Sequence, residues 1–107
     1  MTLQTKSVAS LAARAANGSS SAVVASAATV GITVRTTVAG TSLALVVEWS
    51  ADGTNWGAAD PADTFTAITA TGVVSKSFAV KAPFYRVTWT PTGSFTFSVD
   101  ALEYGGS

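Results

Sequence analysis

The chain has 107 residues, 48% hydrophobic and only 11% charged, with six basic and six acidic side chains and a formal net charge of zero. That length bounds it to one domain around a single core. There is no cysteine and no histidine, which deletes disulfides, thiolate zinc sites, the usual general base and Ser-His-Asp chemistry together.

Lys6, Arg14, Arg35, Lys76, Lys81 and Arg86 are scattered along the chain, so no basic stripe offers the counterion release that drives nucleic-acid binding. No nucleic-acid partner is expected. The charged fraction is less than half of the roughly 25% typical of soluble domains, which leaves Thr, Ser, Ala and Gly to cover the surface. Such a coat costs little to desolvate, and it points to assembly with a protein partner, the alternative being a β-rich monomer with a Thr/Ser surface. Ser7, Ser10 and Arg14 interrupt the apolar residues near the start, so no signal peptide is expected. No run reaches the roughly 20 apolar residues of a membrane span, and no membrane partner is expected either.

Within residues 1–10, residues 2–8 alternate weakly, with Leu3, Thr5 and Ser7 on one parity. They read as an edge strand or as an extended arm lying on a neighbour, with residues 11–107 forming the folded domain. Residues 10–16 contain Leu-Ala-Ala-Arg-Ala-Ala, a helix-favouring run that Ser10 could cap and Asn17-Gly18 could close. A strand followed by an Asn-Gly turn is preferred, because a lone short helix is marginal and everything downstream looks like strand. Residues 18–21 are then loop and residues 22–26 a short strand.

Residues 30–38 place Val30, Ile32 and Val34 inward and Thr33, Arg35 and Thr37 outward. A turn at residues 39–42 leads into residues 43–50, where Leu43, Leu45, Val47 and Trp49 share one face and Glu48 makes the other polar. A loop is expected over residues 50–61, then a short strand over 64–69 with Phe65 and Ile68, and another over 73–80 with Val74, Phe78 and Val80 on one parity. Pro83 ends that strand region, since proline cannot donate to a ladder. Tyr85, Val87 and Trp89 face inward on the next strand, and Phe95, Phe97 and Val99 on the last, which runs over 94–102. The short Pro91-Thr92-Gly93 connection makes these two strands an expected hairpin. Seven to nine short strands without a convincing helix predict an all-β fold: an antiparallel β-sandwich of jelly-roll or immunoglobulin-like kind.

One constellation resembles a site. Asp52, Gly53, Thr54, Asn55 and Trp56, with Asp60 and Asp63 close behind, put carboxylate and amide oxygens on one loop beside a tryptophan. Asp52, Asn55 and Trp56 are the candidate ligand or partner contacts: the oxygens could hold calcium, and the indole could stack on a sugar ring. The same residues also make an ordinary tight turn, in which Asp accepts from backbone amides and Gly53 supplies a positive φ. The spacing matches no EF-hand, so no metal and no cofactor is expected. Trp49 and Trp89 read as core, while Arg35 and Arg86 are placed to pair with Glu48 or Asp100 across a sheet. With no facing pair of acids and no phosphate loop, no enzymatic activity is expected.

The succession from Gly31 to Trp56, then Phe65 to Gly72, Tyr85-Arg-Val-Thr-Trp89 and Ser94-Phe-Thr-Phe-Ser-Val99 resembles the small β-sandwich structural proteins of tailed bacteriophages. The resemblance spans roughly residues 20–102. It implies a virion structural protein, a head decoration (cement) protein on the capsid surface, whose partners are the major capsid protein and copies of itself. A tail or connector component shares the same features. The segment from Trp49 to Trp56 also resembles discoidin-type carbohydrate-binding sandwiches, which implies a glycan ligand at Trp56; this chain is shorter than those and lacks their cysteines.

Overall fold

β-Branched and aromatic residues at period two dominate the chain, and the computed structural model, which describes residues 4–104, consists of strands and turns with no helix. Its strands are β1 (Gln4–Arg14), β2 (Gly18–Ser19), β3 (Val23–Val24), β4 (Thr29–Val38), β5 (Ser42–Ser50), β6 (Gly57–Thr64), β7 (Gly72–Ala79), β8 (Phe84–Thr92) and β9 (Phe95–Tyr104). One sheet has the order β1-β9-β4-β7 and the other β2-β8-β5-β6, with β3 also on β8.

The pairings nest. β5 pairs with β6, β4 with β7, β2 and β3 with β8, and β1 with β9, all antiparallel. The chain is thus one long hairpin whose tip is the β5–β6 turn, rolled so that successive strand pairs fall alternately in the two sheets. Cross-pairing of β4 with β9 and β5 with β8 closes the roll. This is the eight-strand order of a jelly roll, with the second strand broken into β2 and β3. Of the two sandwich types the sequence allowed, the immunoglobulin-like order is not the one adopted.

The inward parities meet between the sheets as expected. Val30, Ile32, Val34, Leu43, Leu45, Val47, Tyr85, Val87, Phe95, Phe97 and Val99 are all buried, as are Trp49 and Trp89. Trp89 packs edge-on to Phe97 with ring centroids 5.5 Å apart, and the Arg14 guanidinium covers both rings. Each fully buried Val, Leu or Phe contributes about 1.5–3 kcal/mol over leaving it in water.

Several expected connections differ. β8 and β9 are not a hairpin: they lie in different sheets, and the link through Gly93 carries the chain across the sandwich so that Tyr85, Val87 and Trp89 face Phe95, Phe97 and Val99. Gly93 has φ +86°, and a Cβ on the neighbouring Gly40 would lie 2.9 Å from the Ser94 nitrogen, so the two crossovers at this end pass each other at backbone contact. Asn17-Gly18 likewise carries the chain from β1 in one sheet to β2 in the other rather than closing a hairpin. The strand preference for residues 10–14 holds, whereas the helix alternative there does not.

Residues 4–10, read as arm or edge strand, are the first part of β1, paired along β9 with Val8 and Ala9 buried; residues 1–3 lie outside the described part. The strand expected over 64–69 sits earlier, as β6. It is an edge strand whose pairing jumps from Ala58 to Asp63, which lets Pro61 sit in the intervening excursion. Phe65 and Ile68 are still buried, and this segment stays tied to β5 by the Phe65 N–H on the Leu45 carbonyl and by a bridge from Ile68 to Leu43. On β7 only Phe78 is buried, while Val74, on the same parity, stays 39% exposed.

Candidate functional site

The β5–β6 turn is built around Asp52. Its Oδ1 accepts from the Thr54 and Asn55 backbone N–H groups, both at 2.9 Å, and from the Ser50 hydroxyl at 2.9 Å. Oδ2 accepts from the Asn55 side-chain amide at 2.8 Å. Ser50 Oγ in turn accepts from the Gly53 N–H at 2.8 Å, and Gly53 takes φ +77°. These donors, the Asn55 N–H foremost and then the Thr54 N–H, hold the Asp52 carboxyl well below the usual carboxylate range. Both oxygens are thus engaged inside the turn, which is the arrangement of a self-capped loop.

Trp56 does not extend from that loop. Its ring lies half-buried on the outer side of the β2-β8-β5-β6 sheet, with the Arg86 guanidinium carbon 4.6 Å from the ring centroid. Arg86 Nε donates to Glu48 Oε1 at 2.7 Å, the cross-strand pairing the sequence suggested. Asp52 and Asn55 are therefore joined directly, while Trp56 belongs to a separate Trp56–Arg86–Glu48 stack. Asp63 belongs to a third group: its Oδ2 accepts from Trp49 Nε1 and from Lys81 Nζ, each at 2.8 Å. Among the described residues no group of three or more acidic side chains converges as a metal site.

The sequence reading missed a fourth group. Glu103 continues the inward parity of β9 after Val99 and Ala101, beyond where the last strand was expected to end, and it is fully buried. Its Oε2 accepts from the Tyr85 hydroxyl at 2.7 Å and pairs with Lys6 Nζ at 2.8 Å, while Oε1 accepts from the Ser26 N–H at 2.6 Å and the Ser26 hydroxyl at 3.1 Å. Lys6 also donates to the Ser26 hydroxyl and to the Val24 carbonyl. Burial pushes the Glu103 carboxyl up, but the hydrogen bonds from Lys6, Tyr85 and Ser26 outweigh it and leave it below its usual value. Burial, reinforced by Glu103, pushes the Tyr85 hydroxyl far up, so it stays a donor and does not ionise. The cluster ties β1, the β3–β4 link, β8 and β9 together. Its one available signal was period two itself: Phe95, Phe97, Val99, Ala101 and Glu103 are every second residue.

Neither the protein-family models nor the curated proteins compared with this chain gave a match.

Proposed function

We propose that the protein is a non-enzymatic virion structural protein, a decoration protein that binds the outer capsid lattice and neighbouring copies of itself. The supporting observation is the outer face of the β1-β9-β4-β7 sheet. By register it carries Thr5, Ser7, Thr33, Ser75, Ser77, Thr96 and Ser98, and among its strand residues only Arg35 and Asp100 are charged. Hydroxyls on it already bond one another, Thr33 to Ser75 at 2.8 Å and Ser77 to Tyr104 at 2.9 Å, which reduces the desolvation cost of covering it. A rigid, charge-poor face suits repeated docking on a symmetric shell, where weak identical contacts add by avidity.

The first residues do not serve as a free arm in this reading. Lys6, Val8 and Ala9 are engaged with the protein's own core, so deleting residues 1–10 is expected to unfold the domain as well as detach it. The test is co-sedimentation with capsids of its own virus that lack it, across a salt series. Stoichiometric binding that persists at high salt is expected, because screening weakens charge pairs but not uncharged contacts. Substituting Ser98→Lys on the same face should abolish that binding without altering the Tm. Absence of binding in the wild type would overturn the reading, and a tail position or a glycan at Trp56 would then be the next to test.

A further inference from the structure

A sheet edge presents a row of unpaired N–H and C=O groups that can template another strand, and folded proteins blunt such edges with breaks, bulges, prolines or charges. This sandwich has four edges, and three of them are blunted. β1 pairs with β9 through two register shifts. β6 carries Pro61 together with Asp60 and Asp63, and its pairing is broken by an excursion. The third is cut into β2 and β3, two residues each.

β7 has none of these protections. It runs eight residues, Gly72–Ala79, and pairs with β4 in unbroken register from Thr29–Ala79 to Thr36–Gly72. Its sequence has no proline, and Lys76 is its single charge. That charge is drawn aside: Lys76 Nζ donates to the Thr64 carbonyl at 2.6 Å and rests against the Phe78 ring. Val73 and Val74 are 65% and 39% exposed. Beside them the chain between β6 and β7 forms an open concavity lined by Thr66, Ile68, Thr71, Val73 and Val74.

We propose that β7 is the strand by which two copies of this chain pair edge to edge, antiparallel about a two-fold axis, joining their four-stranded sheets into one of eight strands. A two-fold normal to the sheet keeps the outer faces continuous. Centred on Val74, it sets the two Val74 side chains against each other and Val73 against Ser75 of the second copy, while Lys76 falls opposite Gly72. A register centred on Lys76 would oppose two ammonium groups and is disfavoured. The zero formal net charge means that approaching copies meet no overall repulsion. The contact is isologous, so it consumes both open edges and closes. The edge argument stands without a capsid, although the pairing supplies the contact between copies that the lattice reading calls for.

An eight-residue edge is about 26 Å long and buries less than a standard stable interface, so the dimer is weak in free solution. Sedimentation velocity on the purified protein from about 10 μM to about 1 mM is expected to show a monomer–dimer equilibrium in that range. Slower amide exchange along β7 at the high concentration identifies the edge in the wild-type protein itself. Val74→Lys should weaken the dimer at least about tenfold, a shift of about 1.4 kcal/mol, with Tm retained because the site is solvent-exposed. Val38→Lys, at another exposed valine of the same sheet, should leave it unchanged. A monomer at every concentration, or a dimer indifferent to Val74→Lys with no change in β7 exchange, would overturn the proposal. Capsid binding is read separately, so either conclusion can fail without the other.

Discussion

Two carboxylates anchor this molecule, and both are held below their usual range by hydrogen bonds, yet they are held in opposite ways. Asp52 is exposed and takes every donor from residues 50–55 of its own loop. Glu103 is fully buried and draws its donors from Lys6, Ser26 and Tyr85, which lie between 18 and 97 residues away in sequence. The first closes the tip of the long hairpin; the second fastens its two outer arms after they have rolled together. Local bonding therefore shapes the turn, and non-local bonding holds the finished sandwich.

The difference is tested most severely at Glu103. Glu103→Ala leaves the Tyr85 hydroxyl buried without its acceptor and Lys6 without its partner. Removing one member of a buried pair costs about 3 kcal/mol or more. Urea unfolding should show that loss, with Tm lower by more than about 10 °C. Lys6→Met is the next step down, at about 2 kcal/mol, because Tyr85 and Ser26 still bond the carboxylate.

Its pH dependence has a definite sign. In the wild type the folded carboxyl sits below its unfolded value of 4.5, so its contribution is present above that value and fades as pH falls through the folded one. Without Lys6 the foremost of the hydrogen bonds that hold the carboxyl down is gone, and it shifts up from its wild-type position. The cost of Lys6→Met should then be greatest near neutrality and shrink in acid. Equal cost at pH 7 and pH 3 would mean that Lys6 acts through packing of its stem alone.

Thr36 sharpens the same contrast from the other side. It is buried on β4, and among the described residues its Oγ1 has no hydrogen-bond partner. Thr36→Val removes an unsatisfied hydroxyl from the interior that Glu103 occupies with full satisfaction. It should stabilise by about 1 kcal/mol in the same unfolding measurement.

What the sequence made legible follows the same division. Period-two alternation identified the inward faces of β4, β5, β8 and β9, and the Asp52 turn residues could be read as a tight turn because their partners are two or three residues away. Pairing was not legible. The short Pro91-Thr92-Gly93 link looks like a hairpin whether the chain doubles back within a sheet or crosses to the other, since the same turn residues serve both. Glu103 falls one residue beyond the strand expected over 94–102, and only the arrival of Lys6 and Ser26 makes its burial tolerable. Trp56 was grouped with Asp52 by proximity in sequence, whereas Arg86, thirty residues on, decides where its ring lies.

Asp52→Ala is expected to change stability least of these substitutions. The Thr54 and Asn55 N–H groups it releases lie in an exposed loop, where water can take them. Its effect should appear in kinetics instead. The β5–β6 turn closes the shortest loop in a nested set, and each outer pair must close a longer one, up to β1 with β9, so the tip is the cheapest place to begin folding. Stopped-flow chevrons should therefore show Asp52→Ala slowing refolding with little change in unfolding. Glu103→Ala should mainly speed unfolding, because its partners assemble only when the outer arms have met. Asp52→Asn, which keeps an oxygen acceptor, should restore most of the refolding rate. If Asp52→Ala instead moved only the unfolding limb, the roll would have to start from the long-range pairings, and the tip would be a consequence of the sandwich rather than its origin.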